Sequence, residues 1–146
     1  MRKTMKLKPN ILIVEDNPAD VILIKEILKE SNISHKLYHA PDGAIALQML
    51  YLEGEYSDIP RPDLILLDMN LPKKDGKDIL GEIKQDNKLN NIPIIIMSSS
   101  LPDIENNSYT KLVDALLIKP TGLDDFNKIG KCIQQVLNNK KNFFHH

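Results

Sequence analysis

Four places in this 146-residue sequence set a chemically active side chain directly after an apolar run: Glu15-Asp16, Asp68, Ser98 and Lys119. A carboxylate in that position is costly to ionise unless something cationic compensates. Three carboxylates brought together repel one another, and a divalent cation resolves the repulsion. All-oxygen donors favour Mg²⁺, which keeps several waters and takes one or two carboxylates plus a phosphate. Glu15, Asp16 and Asp68 are the candidate metal carboxylates, and Asn70, two residues beyond Asp68, can turn its backbone carbonyl back toward the metal. Lys119 adds a fixed positive charge and Ser98 a hydroxyl donor. The set suits a phosphoryl group on Asp68: the carboxylate as nucleophile, Mg²⁺ and Lys119 against the equatorial oxygens, Ser98 completing the coordination.

For these residues to act together, the chain must bring its apolar runs into one sheet. Asn10-Ile11-Leu12-Ile13-Val14, Leu64-Ile65-Leu66-Leu67, Ile92-Pro93-Ile94-Ile95-Ile96-Met97 and Ala115-Leu116-Leu117-Ile118 read as buried strands. His35 to Ala40 alternates weakly and reads as an edge strand that ends in Ala40-Pro41 and adds nothing to the site. Between the strands lie helical patterns. One starts at Asn17-Pro18 and ends near Ser31-Asn32, one runs from Pro41-Asp42-Gly43 to about Leu52, and one spans about Gly76 to Gln85. A short fourth helix is expected from Leu101-Pro102-Asp103, where Asn106-Asn107-Ser108 are poor helix formers. The last carries Phe126, Ile129, Ile133, Val136 and Leu137, and Thr121 with Asp124 forms its expected capping box. Five β-α units imply an α/β, doubly wound (βα)5 parallel sheet. The flavodoxin-like order 2-1-3-4-5 is taken from known doubly wound folds, in which strand C-termini and ligands share one edge.

Composition sets limits. The length suits one domain, expected to span residues 10–140, with an N-terminal extension at 1–9 and a tail at 141–146. A net charge of -1 offers no basic excess for nucleic acid, and no Lys/Arg-rich amphipathic stretch suggests a membrane surface. The basic N-terminus lacks the apolar run of a signal peptide, and no stretch is long enough to span a bilayer. Cys132, the single cysteine, excludes an intramolecular disulfide and a cysteine-based zinc site, so a cytoplasmic setting is expected. His145 and His146 read equally as native residues or a tag remnant and are given no role.

The motifs Val14-Glu15-Asp16, Leu67-Asp68-Met69-Asn70-Leu71-Pro72 with Asp75-Gly76, Met97-Ser98-Ser99 and Ile118-Lys119-Pro120 resemble the receiver domains of two-component response regulators. The resemblance covers about Asn10 to Leu137. The tract from Gly54-Glu55-Tyr56 to Arg61-Pro62-Asp63, followed by Asn70 to Gly76, resembles more narrowly the small stand-alone receivers that partner phytochrome-type histidine kinases. The resemblance implies that Asp68 accepts a phosphoryl group from a kinase phosphohistidine. It further implies that Asp16, Asp68 and the Asn70 carbonyl hold Mg²⁺, with Glu15 acting directly or through water. Ser98 would swing toward the phosphoryl oxygen and Lys119 pair with it. Asn70 and Ser100 occupy the positions that tune phosphoryl loss, and Ser99 the small-residue position at the pocket mouth. Expected partners are a sensor histidine kinase or a phosphotransfer protein, and a second copy docked through the last two strand-helix units. One departure stands out: Leu116 occupies the position, three before the lysine, where many receivers carry a switching aromatic. The signal is therefore expected to be read through Leu101 to Lys111 and the face around Leu116.

Each feature has a plainer reading. Glu15-Asp16 alone suits a helix N-terminus, Ser98 to Ser100 a loop, Lys119 before proline a solvated end, and Asp68 a turn acceptor. Their joint occurrence at four strand ends argues against these. Cys132 reads as packed, and His35 and His39 lack a third metal partner. Two other functions compete. Phosphohydrolases with an Asp nucleophile use Asp-x-Asp, whose second acid exchanges protons during turnover; here that position is Asn70. An FMN-binding protein of the same topology would need a phosphate loop after the first strand, where acidic Glu15-Asp16 would repel phosphate.

Overall fold

The computed structural model describes residues 8–69, 71, 76–99 and 111–143. Five strands, β1 (Asn10–Val14), β2 (Lys36–Ala40), β3 (Leu64–Asp68), β4 (Ile94–Ser98) and β5 (Ala115–Ile118), form one parallel sheet in the order β2-β1-β3-β4-β5. The helices among the described residues are α1 (Pro18–Glu30), α2 (Gly43–Leu50), α3 (Gly76–Gln85) and α4 (Leu123–Phe143). The fourth helix expected from Leu101 lies outside the described residues. None of the described helices is long and apolar enough to cross a membrane.

Strand alternation divides the core into two layers. Leu12, Val14, Ile65, Leu67, Ile94 and Ile96 pack with Leu47, Leu50, Ile79 and Ile83 of α2 and α3. Ile11, Ile13, Leu64, Leu66, Ile95 and Met97 pack with Ile24, Ile27 and Leu28 of α1 and Ile129 and Ile133 of α4. Every residue of β1, β3 and β4 is buried, which is why these strands read as unbroken apolar runs.

Local chemistry sets the ends. Asn17 Oδ1 accepts from Ala19 N–H at 2.9 Å with Pro18 leading α1, and Asp42 Oδ1 accepts from Ile45 N–H at 2.9 Å at the start of α2. α1 closes through Asn32 at φ 55°, with Asn32 N–H on the Lys29 carbonyl and Ile33 N–H on that of Leu28. α2 ends the same way with Leu52 at φ 56°, so the helix stops at Leu50 rather than at Leu52. β2 begins at Lys36 rather than His35, whose ring Nδ1 bonds the Ile33 carbonyl instead. β4 begins at Ile94 rather than Ile92. Pro93 lacks an N–H for the ladder, and Ile92 N–H turns back to Leu89. The loop before β3 contains a short 3₁₀ turn, Gly54–Tyr56. The expected Thr121–Asp124 capping box is replaced by Thr121–Asp125: the Asp125 carboxylate accepts from Thr121 N–H at 3.0 Å. α4 runs to Phe143.

Candidate functional site: a carboxylate cluster around one lysine

Register builds the site. Val14 lies opposite Leu67 and Asp68 opposite Met97, so Glu15 and Asp16 leave β1 beside Asp68. Ser98 lies opposite Ile118, and its carbonyl accepts Lys119 N–H at 2.7 Å, which pins the lysine to the same edge. Parity decides which side chains meet. Glu15 continues the alternation of Ile11 and Ile13, Asp68 that of Leu64 and Leu66, and Lys119 that of Ala115 and Leu117. All three therefore belong to the face covered by α1 and α4. Ser98, fully buried, continues the opposite alternation of Ile94 and Ile96.

The Lys119 ammonium sits 2.9 Å from Glu15 Oε1, 2.8 Å from Asp20 Oδ2 and 3.3 Å from Asp68 Oδ2. Glu15 and Asp68 are buried, at 2% and 5% exposure, while Asp16 is exposed. Oxygens of Glu15, Asp16 and Asp68 all lie within 4.8 Å of one another. Burial pushes the Glu15 carboxyl up to about 7; its hydrogen bond to Asp68 adds to the rise and Lys119 opposes it. Burial works against the Lys119 charge, but its bonds to Asp20 and Glu15 outweigh that and hold it firmly protonated. One ammonium thus faces three carboxylates, and the donor set has the composition and spacing that a hard divalent cation requires.

Gly76, first residue of α3, allows the backbone after Asp68 to pass close by. A Cβ there would lie 2.7 Å from Met69 Cα and 3.0 Å from the Asp68 carbonyl oxygen. Asn70 and Ser100 lie outside the described residues; Ser99 is exposed. Leu116 is half-buried against the α2–α3 layer.

Two residues escaped the sequence reading. Asp20 stands in the first turn of α1, one turn beyond Asp16, and reaches Lys119 across the mouth. Its only sequence signal was an acid in a helix's first turn, which serves the helix dipole equally well. His39, given no role in sequence, donates from Nε2 to the Glu15 carbonyl at 2.7 Å. β2 therefore braces the site, contrary to the expectation that it adds nothing.

Residues 11–139 match the response regulator receiver domain family. The chain belongs to that family. This receiver is 45% identical over 125 residues to response regulator Rcp1 of Synechocystis sp., covering 85% of each chain. It superposes on the phosphorylated cyanobacterial phytochrome response regulator RcpA with a TM-score of 0.77, at 43% identity, covering 88% of this chain and 92% of that one. The Mn²⁺-bound form of Rcp1 gives a TM-score of 0.73 at 42% identity, covering 86% and 91%. The flavodoxin-like receiver architecture, five parallel strands in the order 2-1-3-4-5, and membership in two-component signalling follow, and with them a role as a response regulator.

Proposed function

We propose that Asp68 takes a phosphoryl group from the phosphohistidine of a sensor histidine kinase, of phytochrome type, or from a phosphotransfer protein. The observation that carries this reading is Asp68 Oδ2 buried 3.3 Å from the Lys119 ammonium with the Glu15 and Asp16 carboxylates alongside. An Asp68 carboxylate oxygen attacks phosphorus, the P–N bond breaks, and the imidazole leaves with the electron pair. Lys119 stabilises the charge on the equatorial oxygens. Glu15, Asp16, Asp68 and the Asn70 carbonyl would hold Mg²⁺, which supplies charge neutralisation between acceptor and phosphoryl group. Ser98 swings from its buried position to complete the oxygen coordination. With Asn70 in place of a second acid, water is poorly activated and phosphoaspartate persists as a signal. The only chemistry assigned is Mg²⁺-dependent self-phosphorylation and self-dephosphorylation, in which water takes the phosphoryl group from Asp68 as inorganic phosphate. The single cysteine and the absence of basic patterning support a cytoplasmic protein that signals by binding protein rather than nucleic acid or membrane. The receiver unit is assigned to 10–140, flanked by 1–9 and 141–146.

Transfer from radiolabelled histidine kinases tests the assignment. Asp68→Asn is expected to abolish label uptake, and undiminished transfer to that variant would refute Asp68 as acceptor.

A further inference from the structure

Asp20 lies beyond the Glu15, Asp16 and Asp68 set, yet of the three carboxylates paired with the Lys119 ammonium it stands nearest, at 2.8 Å. We propose that Asp20 is a positioning residue: a built-in rival to the phosphoryl group for the Lys119 ammonium.

Three observations carry this. Asp20 and Asp68 both bond the Lys119 ammonium, so the two carboxylates draw on the same nitrogen. The Asp20 bond is 2.8 Å against 3.3 Å for Asp68, so the ammonium leans toward helix α1. Asp20 is also the more open group, with 24% of its side chain exposed against 5% for Asp68. A carboxylate near water can give up a partner cheaply, because solvent takes over its hydration; a buried one cannot. Asp20 is thus built to hold Lys119 while Asp68 is unmodified and to release it when a dianionic group arrives on Asp68. That exchange costs free energy, and the same negative charge at the mouth repels an incoming phosphate. Both effects weaken the phosphoryl-bearing state.

This inference rests on the reading of Asp68 as phosphoryl acceptor. Its test is beryllofluoride binding to the whole chain at saturating Mg²⁺, followed by titration calorimetry. Absence of binding to the parent protein would defeat the underlying reading. If the parent binds, Asp20→Asn is expected to lower the dissociation constant roughly three- to fivefold, the scale of one partly exposed ion pair. The gain should shrink as salt is raised. Asp20→Ala, which suits a helix, should show the same gain if the amide disturbs the first turn. Asp20→Glu should restore the parent value. Unchanged or weaker beryllofluoride binding in both the Asn and Ala variants would overturn the proposal. So would tightening in Asp20→Glu, because the charge would then not be the cause. A loss of Mg²⁺ affinity in Asp20→Asn larger than its beryllofluoride gain would place Asp20 on the metal side and overturn it too.

Discussion

At the scale of single residues the site is governed by one buried acid. Burial pushes the Glu15 carboxyl up to about 7, with Asp68 beside it adding to the rise and the Lys119 ammonium opposing it. A carboxyl held above its unfolded value makes the folded state the better proton binder between the two values. The metal-free protein should therefore lose stability as pH rises from about 4.5 to about 7, and retain the deficit above. Denaturant melts in chelator across that range check the sign. The proposed Mg²⁺ site would need the ionised acid, so Mg²⁺ affinity is expected to rise between about pH 6 and about pH 8 and to flatten in Glu15→Gln. Calorimetric titration of both proteins decides the point; a flat profile in the parent would contradict it.

At the scale of elements, two helical glycines make opposite predictions. Gly130 of α4 faces the end of α1, and a Cβ there would meet Ser31 Cβ at 2.8 Å as well as its hydroxyl. A β-carbon cannot rotate away, so Gly130→Ala must push the two helices apart and should cost about 1–3 kcal/mol. Gly81 of α3 has open space around its missing Cβ. Gly81→Ala should add about 0.5–1 kcal/mol through helix propensity alone. Chemical denaturation of the pair checks both signs. Because α1 carries Asp20, the Gly130 variant should also perturb the Asp20–Lys119 contact, whereas the Gly81 variant should leave it alone.

At the scale of the molecule, the open matter is how a phosphoryl group is read. Leu116 cannot act as an aromatic switch, and it packs against the α2–α3 layer. The signal is proposed to travel through Leu101 to Lys111 and the face around Leu116. Backbone relaxation in that segment should change on adding beryllofluoride and Mg²⁺; equal rigidity in both states would exclude it. Association through the last two strand-helix units is the matching proposal for self-recognition. Sedimentation at tens of micromolar should show a dimer with the phosphoryl mimic, and a monomer with and without it would reject the interface.

The order of strands and helices, the two-layer core and the carboxylate, lysine and serine positions were legible in the sequence, because buried parallel strands announce themselves as apolar runs and their C-terminal ends must share an edge. Element ends were less legible. The Leu52 and Asn32 caps, the displaced start of β4 and the Thr121–Asp125 pairing turn on backbone hydrogen bonds that several local patterns satisfy equally. Asp20 and His39 were legible only in three dimensions, since their partners lie far along the chain and meet them through strand register and helix docking. Residue types named the chemistry of this receiver. Only the tertiary structure decided how one ammonium is divided among three carboxylates, because that division depends on distance and burial, which no spacing in sequence encodes.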